Sequence, residues 1–253
     1  MDLDAKAKPL AGRIILVTGA SDGIGREAAL TYAKAGASLI LVGRNQQKLE
    51  AVARDIAASG AAQADNYLLD FATASAADCQ SLADQLSARI PRLDGVLHNA
   101  GILGDRGPMT GQNPQTWEAV MQINVNVTFF LTQALIPLLL KSDSPSLVFT
   151  SSSVGREGRA GWGAYAVSKF ATEGMMQVLA DEYRSHHLRV NCINPGGTRT
   201  AMRASAFPEE NPNLLKTPAD IMPLYLWLMS DESRDKTGIS FDAQPHRKPG
   251  IAQ

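Results

Sequence analysis

Apolar and polar positions follow two different periods along this chain. Short runs dense in β-branched and aliphatic residues recur: "RIILVT" from Arg13, "SLILVG" from Ser38, "NYLLD" from Asn66, "LDGVLHNA" from Leu93, "SLVFTSS" from Ser146 and "LRVNCIN" from Leu188. Their length and the lack of polar alternation predict strands buried on both faces. Longer segments between them place apolar residues at helical spacing, over residues 24–35, 46–59, 74–90, 116–140 and 164–186. Strand and helix repeated six times predict an α/β fold, a doubly wound parallel sheet with helices on both faces. No composition break marks a linker, so residues 1–253 read as one domain with short tails at about 1–10 and 243–253. Residues 196–217, with Pro208 and Pro212, are the longest poorly patterned stretch. A loop of that length predicts a substrate lid over about 201–217.

Charge and composition remove several classes. With 24 Lys+Arg against 25 Asp+Glu the net charge is -1, which gives no basic excess for nucleic acid or an anionic membrane surface. The one basic cluster, "HRKPG" from His246, reads as a solvated tail. Cys79 and Cys192 stand far apart in no ligand spacing, so neither a disulfide framework nor a metal site is expected. A reducing, cytoplasmic location follows from that. The start, "MDLDAKAKPLAG", has no apolar core of a secretory leader. The longest apolar stretch, "FFLTQALIPLLL", is interrupted and too short to span a bilayer.

The first predicted strand runs into "TGASDGIG" and then a helical segment. Gly19, Gly23 and Gly25, with Ser21, Asp22 and Ile24 between them, therefore fall in a strand-to-helix turn. Missing side chains let backbone approach a pyrophosphate there, and the helix amino end offers unpaired N–H donors. This is the phosphate cradle of a Rossmann-type nucleotide site. The second strand ends in "VGRN", with no acid for ribose hydroxyls. Arg44 suits a 2′-phosphate, which favours NADP over NAD; the alternative is a surface residue opening the next helix. Asp22 opposes that phosphate mildly.

In "GAYAVSKFATEGM" Tyr165 and Lys169 stand four residues apart, on one helix face. Spacing alone is compatible with an aromatic residue beside a solvated charge. Together, "TGASDGIG", "HNAG" from His98, "IN" ending at Asn124, "SSS" from Ser151, "YAVSK" and "NPGGTRT" from Asn194 resemble the short-chain dehydrogenase/reductase family in order and interval. The resemblance covers residues 9–242. It implies that Tyr165 is the general acid or base, that Lys169 lowers the phenol pKa and holds ribose hydroxyls, and that Ser152 orients the substrate carbonyl. Asn124 would hold a water linking Lys169 to solvent; its alternative is an amide bonded to nearby backbone. Asp70 would meet the adenine amino group or cap a turn. Asn99, Ala100 and Gly101 would line the adenine ribose, and Pro195, Gly196, Thr198 and Thr200 the nicotinamide. His98 reads as structural.

An NADP-dependent enzyme exchanging hydride between cofactor and a carbonyl or secondary alcohol is the main functional expectation. A catalytically silent NADP-binding sensor or scaffold is the alternative. Arg156, Arg159 and Trp162 would meet an acidic or aromatic substrate, or else serve surface or subunit contacts. Apolar residues on more than one side of the two longest helices predict a homodimer or homotetramer. The end, "FDAQP", lacks the glycine pair that often follows the last strand of the family, which puts that strand's end in doubt.

Overall fold

The computed structural model describes residues 8–60 and 63–251. Seven parallel strands form one sheet in the order β3-β2-β1-β4-β5-β6-β7. They are β1 Ile14–Thr18, β2 Ser38–Gly43, β3 Ala64–Leu68, β4 Gly95–His98, β5 Ser146–Thr150, β6 Arg189–Asn194 and β7 Ser240–Asp242. The helices are α1 Gly23–Lys34, α2 Gln46–Ala58, α3 Ala76–Ser87, α4 Pro114–Met121, α5 Val127–Leu139, α6 Gly163–Glu182, α7 Ala201–Ala206 and α8 Pro218–Met229. Strand alternation sorts the core into two layers. Leu16 and Val96 turn toward α3, α5 and α6, where they meet Leu82, Leu131 and Met176. Ile15 and Val17 turn the other way, toward Ala28, Tyr32, Ile221 and Tyr225 of α1 and α8. This is the doubly wound α/β arrangement expected.

Four departures from the sequence reading have physical causes. β3 begins earlier than predicted and is not buried on both faces: it pairs only with β2 at the sheet edge, and Leu68 is 57% exposed. The predicted helix over 116–140 is interrupted by a π-helical segment, Gln122–Asn126, between α4 and α5. The joined run Pro114–Leu139 spans 26 residues and contains an 18-residue window of mean hydropathy 1.4, so by length and composition it could cross a membrane, unlike the shorter stretch "FFLTQALIPLLL". Yet α5 buries Val127, Leu131, Leu135 and Leu139 in the sheet layer, as a core helix does. β7 forms despite the missing glycine pair, paired to β6 from Ser240 to Asp242.

Neither tail is as free as predicted. Residues 1–7 and 252–253 lie outside the described residues, but Leu10 is fully buried and its N–H bonds Ala35 O at 3.0 Å. At the other end Gln244 Nε2 donates to Pro195 O at 2.8 Å and Gly197 O at 3.2 Å. Residues 244–250 thus fold back over the carboxyl ends of the strands. The stretch 201–217 is ordered as well, carrying α7 and a parallel bridge from Thr198 to Lys216.

Candidate active site

Strand order reverses at β1, whose neighbours β2 and β4 lead away in opposite directions, so a crevice opens beyond the carboxyl ends of β1 and β4. A cavity of ≈ 1010 Å³ lies there. It is lined by the turns after β1, β2, β4, β5 and β6 together with residues 244–250.

The glycine-rich turn forms one end. Gly19 has φ +64 and packs so closely on the next turn that a Cβ would sit 3.0 Å from Ala100 Cα. At Gly25, the first buried position of α1, a Cβ would collide with the Gly19 carbonyl and lie 2.6 Å from Asn99 Nδ2. Helix and turn therefore close into a side-chain-free cradle facing the α1 amino end, which fits the phosphates of a nucleotide. Thr18 supports it from below: its Oγ1 accepts from Asn99 N at 3.0 Å and Ala100 N at 3.1 Å. Gly19, Ser21, Asp22, Gly23 and Ile24 line the cavity, as do Arg44, Asn99, Ala100 and Gly101.

Asp22 caps α1, accepting from Gly23 N at 2.8 Å, and its other oxygen accepts from Lys48 Nζ at 3.0 Å. The Lys48 bond, then the Gly23 N–H, hold its carboxyl below the usual range. Lys48 also lines the cavity; four residues after Arg44, it was available to the sequence reading and was missed. Asp70 is not brought to this cavity. It lines a separate groove beside β3, and its Oδ1 accepts from Ala72 N at 3.0 Å as a turn cap.

The catalytic candidates meet at the other end. Three consecutive serines leave β5 in three directions. Ser151 Oγ donates to buried Glu173 at 2.5 Å, Ser153 Oγ accepts from Arg159 at 2.9 Å, and Ser152 Oγ, which accepts from Val154 N at 3.5 Å, faces the Tyr165 phenol closely enough to oppose the rise in its pKa. Lys169, buried one turn along α6, donates to Thr150 O at 2.7 Å and lies 5.5 Å from the Tyr165 ring centroid. Burial pushes the phenol up to about 12, against the smaller opposing effect of Ser152. The expected lowering by Lys169 does not appear, because burial also pulls Lys169 down to about 8, so that in the free protein it has lost its charge before the phenol would ionise. Glu173, a further turn along α6, pulls Lys169 in the opposite direction. It was also within reach of the sequence reading, at the same spacing from Lys169 that Lys169 has from Tyr165.

Asn124 sits in the π segment, where one extra residue per turn opens the helix toward the site. Its Oδ1 accepts from Ile102 N at 2.8 Å, and its Nδ2 donates to Ile102 O at 2.9 Å and Ser168 Oγ at 3.0 Å. The amide is thus bonded to nearby backbone, with Gly101 between it and Lys169: a Cβ there would lie 3.2 Å from Asn124 Oδ1 and 3.9 Å from Lys169 Nζ. Pro195, Gly196, Thr198 and Thr200 line the cavity opposite, Thr200 Oγ1 capping α7 through Arg203 N at 3.1 Å. His98 is structural: buried, stacked on Phe149 at 5.2 Å, and held neutral, down at about 3.

A nucleotide cradle at the switch point of a parallel sheet, facing a serine, a tyrosine and a lysine, defines a class of oxidoreductase. Residues 13–211 match the family model for short chain dehydrogenases, and the chain belongs to that family. Among its relatives, the oxidoreductase YciK of Escherichia coli K12 is 69% identical over 253 residues, covering all of both chains. A short chain dehydrogenase from Shigella flexneri 2a strain 301, solved in complex with NADP, is 70% identical with a TM-score of 0.93, covering 95% of this chain and 100% of that one. Another from Escherichia coli CFT073, in complex with NADPH, is 69% identical with a TM-score of 0.92, covering 95% and 100%.

Proposed function

We propose that this protein is an NADP-dependent carbonyl reductase, running in reverse as a dehydrogenase of secondary alcohols. The observation that carries the reading is the convergence of Ser152, Tyr165 and Lys169 on one cavity with the glycine cradle. Arg44 and Lys48 on the cradle's outer lip suit a 2′-phosphate, and NADP in the Shigella flexneri and NADPH in the Escherichia coli relatives support that choice. When bound, the reduced nicotinamide supplies the hydride that reaches the carbonyl carbon. Tyr165, kept protonated by burial, gives its proton to the carbonyl oxygen as charge develops there, and Ser152 donates a hydrogen bond to the same oxygen. Lys169 stands ready to steady the phenolate left behind. Asn124, across Gly101 from Lys169, is suited to hold a water through which the proton is replaced. A complete set of these four residues supports the enzyme over the silent-sensor alternative.

The same reading places the chain in a reducing, cytoplasmic compartment, in keeping with Cys79 and Cys192 as buried free thiols. It assembles as a homodimer or homotetramer, since Val167, Phe170 and Val178 form an exposed apolar stripe along α6, with Phe129 exposed on α5. The deciding experiment follows NADPH oxidation against ketones, aldehydes, quinones and acyl thioesters, with NADH in parallel. Turnover that disappears in Tyr165→Phe establishes the reading; no turnover of any carbonyl with either cofactor overturns it.

A further inference from the structure

Aromatic rings and guanidinium groups from three separate segments stack in alternation between the catalytic phenol and the cavity mouth. The Trp162 ring lies 5.8 Å from the Tyr165 ring. Over it sits the Arg106 guanidinium, from the loop after β4, at 3.9 Å, and the same guanidinium lies 5.2 Å from Phe207. Arg203 of α7 covers Phe207 at 3.9 Å. One aromatic ring therefore separates Arg106 from the group that protonates the substrate.

The two arginines differ in how their charge is met. Glu210 accepts from Arg203 twice, at 2.6 Å each. Arg106 donates only to carbonyls, Gly161 O at 2.7 Å and Ala206 O at 3.5 Å, and makes no ion pair among the described residues. Desolvation first, and the nearby Arg203 second, disfavour its charge. An anion placed against it would relieve both effects. Arg156, Arg159, Arg247 and Lys248 line the same cavity, but Arg156 is paired with Asp242 at 2.5 Å, Arg159 with Glu157 at 2.8 Å and Arg247 with Glu210 at 3.4 Å. Among these arginines Arg106 is thus the one whose charge meets no carboxylate among the described residues.

We propose that the substrate is itself an acid, a carbonyl compound whose carboxylate or phosphate is held by Arg106 while an apolar body lies along Trp162 and its carbonyl reaches Tyr165. The proposal rests on the reductase reading above. A guanidinium already clamped against a ring has lost little freedom to lose again on binding, and its planar edge matches both anions. Arg106 is then a specificity-determining residue, and the stacked ring sets the distance between the anion and the reacting carbon.

Matched aryl ketones test this: one carrying a ring carboxylate, its methyl ester, and the phosphate counterpart, each assayed with NADPH and titrated calorimetrically into the protein in the presence of NADP. The wild type should favour an anion over the ester in kcat/KM by about tenfold or more, and added salt should erode that ratio. Arg106→Gln should abolish the ratio, and Arg106→Lys, which keeps the charge without the planar stack, should restore part of it. Preference for the carboxylate or for the phosphate identifies which acid the site takes. An acid-to-ester ratio near one, or one unmoved by Arg106→Gln, overturns the proposal. If no ketone turns over, the reductase reading fails on its own, and calorimetry still decides the anion: Arg106-dependent binding of the acid supports it, and equal binding by wild type and Arg106→Gln ends it.

Discussion

Lys48 Nζ lies 3.0 Å from Asp22 Oδ2, so the one acid in the glycine-rich turn carries its own counter-ion at the lip of the cradle. Both groups are more than half exposed, and such a pair adds little to stability. Its consequence is for ligand charge: a carboxylate that would repel a 2′-phosphate is neutralised, leaving Arg44 to attract it.

Cofactor discrimination should follow that pairing. Arg44→Ala is expected to weaken NADPH by roughly tenfold or more while changing NADH little, the cost of about one charge-assisted bond. Lys48→Ala should weaken NADPH in the same direction, and adding Asp22→Asn should recover much of that loss. Dissociation constants for both cofactors in the four proteins check this; equal weakening of NADH and NADPH would refute it.

Catalysis should depend on the phenol and, in pH profile, on the lysine. Tyr165→Phe is expected to keep NADPH affinity and lose turnover by about 10² or more, the scale of general acid catalysis. In the free protein Lys169 is pulled down to about 8 and Tyr165 pushed up to about 12. Reduction measured as kcat/KM should therefore be level below pH 8 and fall above it as Lys169 loses its proton, while Tyr165 stays protonated. A profile level to pH 10 would remove Lys169 from the protonic chemistry.

Acid stability should carry the signature of His98. Thr132 Oγ1 gives its proton to Thr128 O at 2.7 Å, so His98 Nε2, 2.9 Å away, must be the donor between them. Nδ1 is left buried and without a hydrogen-bond partner among the described residues. Burial holds the folded imidazole at about 3 against 6.5 when unfolded. Between those values the unfolded chain binds the extra proton, so stability falls as pH falls, by at most about 1.4 kcal/mol per pH unit. Unfolding in urea at pH 7 and pH 5 should show the gap between wild type and His98→Asn shifting against the wild type by about 2 kcal/mol. A gap independent of pH would show that the imidazole titrates normally.

Subunit contact should run through the outer face of α6. Val167, Phe170 and Val178 are 37%, 45% and 56% exposed, and with Gly174 they recur at helical spacing. Sedimentation at micromolar concentration should find a dimer or tetramer, dissociated or weakened by Phe170→Glu. A monomer in the wild type would refute it.

The sheet and most of the site were legible because each rests on local signals. Strand runs bounded by turns, a glycine-rich turn after the first of them, and Tyr165 and Lys169 on one helix face all declare themselves within a few residues. What escaped was set by distance in sequence. Nothing local distinguishes Asp70, which caps its own turn, from an adenine contact. The π segment at Asn124 cannot be told from regular helix, because the apolar pattern continues through it. The lowering of the Tyr165 pKa was implied by the family resemblance, whereas burial of both Tyr165 and Lys169 decides it. Arg106 carries no motif; its meaning comes from Trp162 and Phe207, which fold onto it from far along the chain. For the same reason "HRKPG" read as a solvated tail when it folds over the cavity.

That fold-back has a thermodynamic consequence. Glu210, its side chain 2% exposed, accepts from Arg203 of α7 and from Arg247 of the C-terminal segment at 3.4 Å. Breaking a buried charge pair by withdrawing one partner costs several kcal/mol, since the remaining charge stays out of water. Arg203 also donates to Gly250 O at 2.6 Å, so each segment holds the other as well as the shared carboxylate. The two covers over the substrate end therefore share one buried carboxylate, and moving either away breaks contacts that hold the other.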